Sequence, residues 1–290
     1  MTAPDTIPVI SSIGSIADSY DAWLCDIWGV LHNGERPFVE ADHACRTFRE
    51  HGGSVVLISN SPRPGDSVSQ QLAQVGVSRE SYDAIVTSGD TTRHVLAERS
   101  SDPLFHLGPD RDKPLLDGLE LRLVDADGAD FVLCSGLYDD LTETPEHYAE
   151  LLSRLRARDL EMVCANPDIQ VERGNRLIYC AGALADAYEK LGGRVIYTGK
   201  PHAPIYEMAI GQIAQVKGRE VAPDRILCIG DSLKTDITGA AEAGMDVVFV
   251  ASALHIEGTH DDTPLTEEAL SLVFANFAAR PVAAQKRLQW

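Results

Sequence analysis

Two acids, Asp231 and Asp236, follow the apolar run RILCIG at 225–230. The run reads as a buried strand and the segment after it as the start of a helix, so both carboxylates gather near one strand end. A third acid, Asp26, closes the apolar stretch AWLCD. An acid at the end of a buried strand costs free energy unless its charge is stabilised. Three such carboxylates form a hard-oxygen set. It suits Mg²⁺, which takes carboxylate, water and phosphate oxygens at about 2.0–2.1 Å. Taken singly, Asp236 is also a reasonable helix cap and Asp231 a turn residue. Lys200 stands in Thr198-Gly199-Lys200-Pro201-His202, at the exit of the run RVIYTG. Its ammonium could form a structural ion pair, or could neutralise a phosphoryl group in transfer. Ser59-Asn60-Ser61 ends the run SVVLIS. A hydroxyl and a backbone N–H at a strand end can bind a phosphate oxygen. Ser-Asn before Pro62 is also ordinary turn chemistry.

These residues need strands to carry them. Short runs rich in Val, Ile and Leu predict strands at 22–28, 54–59, 83–88, 130–135, 161–166, 194–199, 225–230 and 246–251. Runs that are apolar on both faces read as buried parallel strands. Amphipathic stretches between them, at 39–50, 67–75, 146–157, 203–216 and 235–243, predict helices. Strand–helix alternation implies an α/β fold with right-handed crossovers. Ligands of open α/β sheets bind at the carboxyl ends of strands. Asp26, Ser59-Asn60, Ser88-Gly89, Gly199-Lys200 and Gly230-Asp231 all fall at such ends. The segment from about 89 to 195 carries strands and helices of its own. It reads as an inserted second domain, because a structureless insert of that length is improbable.

The chain has 290 residues and a formal net charge of −19. An acidic surface argues against nucleic acid and anionic membrane as partners. No stretch approaches the ~20 apolar residues of a membrane span. The first residues, MTAPDTIPVISSIGS, have no basic segment leading into a long apolar core, so no secretory signal is expected and the cytoplasm is the default. None of the six cysteines forms a C-x-x-C pair, and buried thiols in a reducing compartment are expected. No G-x-G-x-x-G follows the first strand, which disfavours a nucleotide-cofactor dehydrogenase.

Taken together, the ordered pieces resemble the haloacid-dehalogenase-like (HAD) hydrolase superfamily. They are Asp26 on the first strand, ISN at 58–60, GKPH at 199–202 and GDSLKTDITGAAEAG at 230–244. TSGD at 87–90, NPD at 166–168 and AGAL at 181–184 match class IIA, the group of NagD-like and pyridoxal phosphate phosphatases. The resemblance covers residues 20 to 255. It implies a Rossmann-like parallel-sheet core, residues 1–88 and 196–290, with an inserted α/β (C2-type) cap at 89–195. It implies a Mg²⁺-dependent phosphatase in which Asp26 is the nucleophile that forms an aspartyl-phosphate. Ser59 and Asn60 match the phosphate-binding motif, and Lys200 the lysine that holds nucleophile and phosphate. Asp26, Asp231 and the backbone carbonyl of Trp28 match the metal ligands, and Asp236 the acid supporting the metal shell. The implied partner is a small phosphorylated metabolite, and a homodimer is compatible with the chain.

One position departs from that pattern. The usual first motif is Asp-x-Asp, and its second acid protonates the leaving group and later activates water. Here that residue is Trp28. An indole N–H cannot give up and regain a proton near neutral pH, whereas any residue offers a carbonyl to a metal. Metal binding should therefore survive while acid–base catalysis is weakened, by ~10²–10⁴-fold for a lost proton donor. His32 and His202 are the nearest candidates in sequence to stand in, although either can be an ordinary loop residue. Two functions follow: a phosphatase with weakened acid–base catalysis, or a phosphometabolite-binding protein that has lost turnover. Asn166 and Asp168 are candidate cap contacts to substrate, with turn formation by Asn-Pro-Asp as the alternative.

Overall fold

The structure, a computed structural model, describes residues 6–173, 176–251 and 264–290. In chain order its elements are α1 (Gly14–Ala17), β1 (Ala22–Asp26), α2 (Val39–Glu50), β2 (Ser54–Ser59), α3 (Gly65–Val75), β3 (Ala84–Thr87), α4 (Ser88–Glu98), β4 (Pro103–Leu107), β5 (Arg122–Leu123), β6 (Phe131–Cys134), α5 (Ala149–Ala157), β7 (Glu161–Cys164), β8 (Gln170–Arg173), β9 (Arg176–Tyr179), α6 (Ala181–Lys190), β10 (Arg194–Tyr197), α7 (Ala203–Lys217), β11 (Ile226–Gly230), α8 (Thr238–Glu242), β12 (Asp246–Val250), α9 (Glu267–Val273) and β13 (Ala283–Gln285). The fold is α/β, as expected, with a Rossmann-like parallel-sheet core.

Contacts divide the chain into two compact units. The first comprises the described residues of Met1–Ile58, Gln71–Ile85 and Tyr206–Trp290, and the second Ser59–Gln70 and Val86–Ile205. Sequence expectation drew the inserted domain at 89–195. The structure also groups 59–70 with the second unit. Local hydrogen bonds account for this: Gly89 N donates to Ser61 O at 3.0 Å, and Gly65 N donates to the Asp90 carboxylate at 3.2 Å.

The first unit is built on a sheet of order β13-β12-β11-β1-β2-β3. Its pairs from β13 through to β2 are parallel. Every residue of β1 and β11 is buried, as apolar runs without polar alternation require. Trp23 of β1 stacks on Phe48 of α2 with ring centroids 4.0 Å apart, fixing that helix against the sheet. The second unit has an all-parallel sheet of order β10-β7-β6-β4-β5 and a separate antiparallel hairpin, β8–β9. Leu152 and Leu155 of α5 and Leu184 and Tyr188 of α6 pack into one core with Val132, Cys134, Met162 and Cys164 of the sheet.

Three expected elements are redrawn by local chemistry. The strand expected to reach 88 stops at Thr87, which starts α4 with a capping box: its hydroxyl accepts from Asp90 N, and the Asp90 carboxylate accepts from Thr87 N. The helix expected at 146–157 opens as a 3₁₀ turn, Pro145–Tyr148. The helix expected at 235–243 is a π turn, Leu233–Ile237, leading into α8. All six cysteines are buried thiols without a disulfide. Among the described residues no helix is long and apolar enough to cross a membrane.

Candidate active site

β1 and β11 are parallel neighbours with Cys25 opposite Ile229, so Asp26 and Gly230-Asp231 leave the sheet at one edge. Asp236 joins them through the π turn. Asp236 N and Ile237 N both donate to Ser232 O, and Ser232 N donates back to Asp236 Oδ2 at 3.1 Å. Asp26, Asp231 and Asp236 are all buried, and one oxygen from each lies within 4.8 Å of the others. Ile27 N donates to Asp26 Oδ1 at 2.8 Å, which orients that carboxylate. Like charges this close in a buried site repel strongly unless positive charge joins them. Three carboxylates with no sulfur or imidazole among them are a donor set suited to Mg²⁺. The fit is therefore chemical as well as geometric, and Asp26, Asp231 and Asp236 are the side chains that would hold or support the ion.

Two glycines, Gly29, which the sequence reading passed over, and Gly230, which it placed at a strand end without a role, make this approach possible. Gly29 has φ +82°, and a Cβ there would collide with the Asp231 carboxylate. A Cβ on Gly230 would collide with Asp236. Both follow or precede a motif residue directly, and that adjacency was the available signal. Tyr206 lies near these acids. It is buried in the first unit, and burial, followed by Cys228 and then by the charges of Asp236 and Asp26, raises its hydroxyl pKa. It stays a neutral phenol.

The loop after Asp26 settles the position of Trp28 and His32. Gly29 N donates to His32 O at 2.9 Å, and His32 N donates to Ile27 O at 3.3 Å. This bridge uses the groups flanking Trp28, the Ile27 carbonyl and the Gly29 N–H. The indole lies edge-on to the His32 ring, centroids 5.0 Å apart, and a Cβ on Gly34 would strike it. His32 is only 1% exposed, and Gly34 N donates to its Nδ1 at 2.8 Å. Burial pulls its pKa down to about 4. The ring is thus neutral at pH 7 with its Nδ1 lone pair occupied, which makes His32 a poor replacement for the missing acid. His202 stacks flat on Tyr197 in the second unit, centroids 4.8 Å apart.

Ser59, Asn60 and Lys200 all belong to the second unit and are all buried. Ser61 N donates to Ser59 Oγ at 3.2 Å. Sequence reasoning gave Asn60 to the phosphate. In the structure its amide is used on main chain and a neighbouring acid. Asn60 Oδ1 accepts from Lys200 N at 2.7 Å, and Nδ2 donates to Lys200 O at 3.1 Å and to Asp168 Oδ1 at 2.9 Å. Asn166 Oδ1 in turn accepts from Asp168 N at 3.0 Å, so the Asn-Pro-Asp segment is a side-chain-closed turn.

A family model for haloacid dehalogenase-like hydrolases matches residues 23–122, and one for HAD-hydrolase-like proteins matches 197–278. A haloacid dehalogenase-like hydrolase from Brucella suis 1330 is 44% identical, covers 97% of this chain and 100% of its own, and superposes with a TM-score of 0.86. The 5'-nucleotidase YutF of Bacillus subtilis is 25% identical over 234 residues, 80% of this chain and 87% of its own. The ribonucleotide monophosphatase NagD of Escherichia coli K12 is 24% identical over 247 residues, 83% of this chain and 91% of its own.

Proposed function

The chain belongs to the haloacid dehalogenase-like hydrolases, and we propose that it is a Mg²⁺-dependent phosphatase of a small phosphorylated metabolite with weakened acid–base catalysis. The observation that carries this reading is the cluster of three buried carboxylates, Asp26, Asp231 and Asp236. Relatives named a 5'-nucleotidase and a ribonucleotide monophosphatase support the substrate class.

In this reading an Asp26 oxygen attacks phosphorus, forming a carboxyl–phosphate bond as the ester oxygen leaves. Water then attacks the same phosphorus, releasing phosphate and restoring the carboxylate. Asp26, Asp231 and the Trp28 carbonyl would hold Mg²⁺, and Asp236 would support them. The bound ion would offset charge on the phosphoryl oxygens. Ser59 and Lys200 bind phosphoryl oxygens by hydrogen bond and by charge. Phosphoryl transfer asks chiefly for such positioning and neutralisation.

Trp28 sets the chemical limit. Its indole supplies no proton to the departing oxygen, and the neutral His32 is not placed to replace it. Esters whose leaving groups depart without protonation, such as p-nitrophenyl phosphate, should therefore turn over better than alkyl phosphates. The same observation supports a second reading, a phosphometabolite-binding protein with little or no turnover. Assays of p-nitrophenyl phosphate and a panel of phosphorylated metabolites with Mg²⁺ separate the two. Wild-type turnover abolished by Asp26→Asn supports the phosphatase. Wild type and Asp26→Asn equally inert, with phosphate still bound, sinks it in favour of the binding protein.

A further inference from the structure

Asn60 is bound at both its amide oxygen and its amide nitrogen to one residue of the chain, Lys200. A primary amide that accepts from a main-chain N–H and donates to the same residue's C=O imitates a neighbouring strand. It fixes the plane and direction of that segment as a ladder does. Lys200 is 3% exposed and Asn60 4%, so both bonds are shielded from water. Leaving either group unmatched there costs ~1–3 kcal/mol.

The second hydrogen on Asn60 Nδ2 goes to Asp168 Oδ1, and this bond holds the amide in the rotamer that matches Lys200. Asp168 is itself held by the Asn166 side chain. Space is reserved for the arrangement: a Cβ on Gly199 would strike Asn60 Oδ1, and would lie 2.7 Å from Pro167 Cδ and 2.9 Å from Ser88 Oγ. Lys200 is thus placed by the turn after β2 and by the turn after β7, as well as by its own strand.

We propose that Asn60 and Asp168 are positioning residues for Lys200: Asn60 clamps its main chain, and Asp168 orients the clamp. The Asn-Pro-Asp turn then acts on the lysine and is not a substrate contact. The proposal rests on the reading of Lys200 as the phosphate-binding lysine. A long side chain aims its ammonium from the main chain, so a shift of the Lys200 backbone moves the charge away from the phosphoryl group. A misplacement of 1 Å can cost about a hundredfold.

The test compares Asn60→Ala, Asp168→Ala and Asp168→Asn with wild type. It reads kcat and KM for p-nitrophenyl phosphate with Mg²⁺, binding of inorganic phosphate by calorimetry, and hydrogen exchange at the Lys200 amide. Asn60→Ala should lower kcat by about tenfold to a hundredfold, weaken phosphate binding, and expose the Lys200 amide to exchange. Asp168→Ala should do the same to a lesser extent. Asp168→Asn should recover near wild-type values, because an amide oxygen still accepts from Asn60 Nδ2. A merely structural role predicts lower thermal stability with kcat intact in the surviving folded protein. If both alanine variants keep kcat, phosphate binding and Lys200 amide protection within twofold of a competent wild type, the proposal is overturned alone. A wild type that neither turns over nor binds phosphate overturns it together with the functional reading.

Discussion

Two small regions carry the proposed chemistry, and each is held in shape by a different means. In the first unit Asp26, Asp231 and Asp236 bring like charges within 4.8 Å of one another. In the second, Asn60 and Lys200 are joined by complementary amide–main-chain bonds. The acids are fixed by strand ends, by backbone N–H groups from Ile27 and Ser232, and by glycines that leave them room. In the proposed reading they gain from a cation. The clamp satisfies its own polar groups, and its geometry needs no ligand. The contrast predicts that divalent ion stabilises one region and leaves the other indifferent.

The largest expected effect lies in the first region. Asp26→Asn should remove turnover to below detection, while far-ultraviolet circular dichroism and the ion-free melting temperature are not reduced. A large loss of stability would mean that Asp26 is structural. Next, chelation should abolish turnover and added Mg²⁺ should restore it. The melting temperature should rise with Mg²⁺, by an amount equivalent to about 2.7 kcal/mol at a hundred times Kd. Asn60→Ala should keep that Mg²⁺ response. If it is lost, the two regions are not separable as described. Trp28→Asp should then raise turnover of alkyl phosphates by up to about 10²-fold, less than the full worth of a proton donor, because the new acid lacks a supporting shell. Its gain on p-nitrophenyl phosphate should be smaller.

The smallest effect tests what a buried acid does without such company. Asp112 in the second unit is 2% exposed, and burial pushes its pKa up to about 6 against the pull of Arg111 and a Ser135 hydrogen bond. A carboxyl whose folded pKa is raised binds more protons in the native state between pH 4 and 6. Stability therefore falls as pH rises through that window. Asp112→Asn should stabilise the protein by about 1–3 kcal/mol at pH 8, and the gain should fade as pH drops through 6 towards 4. Urea unfolding at pH 8, 6 and 4 checks this, and a gain independent of pH would refute it.

Much of the fold was legible because buried parallel strands announce themselves locally. Each of the eight strands read from apolar runs is present; β2 has the expected bounds, and the other seven are trimmed by a residue or two at their ends. Five strands among the described residues escaped notice, the hairpin pair β8 and β9 and three that give weak signals. β4 begins at Pro103 and carries a histidine, β5 has two residues, and β13 is Ala-Ala-Gln. Their identity depends on a neighbouring strand supplying the ladder. α4 escaped because its first turn, Ser-Gly-Asp-Thr, has poor helix propensity, and a capping box compensates for that.

In the candidate site the acids were legible and the clamp was not. Periodicity puts Asp26 and Asp231 at strand ends, and spacing puts Asp236 one turn later. Asn60 bonds across 140 residues to Lys200 and across 108 to Asp168. No window of sequence contains such a pair, and Asn-Pro-Asp read alone is only a turn. The histidine question was equally closed to sequence. His32 stands four residues from Trp28, yet its protonation depends on burial and on the Gly34 N–H.

The sequence by itself determined which chemical groups arrive at the sheet edge, and that position 28 brings none that titrates. Those are local facts, set by residue type and by the two-residue period of a strand. Only the tertiary structure decided which atoms meet. It gathered three carboxylates, buried His32, and joined the Asn60 amide to the main chain of Lys200. The reason is physical: hydrogen bonds and burial belong to pairs of groups, and folding selects the pairs.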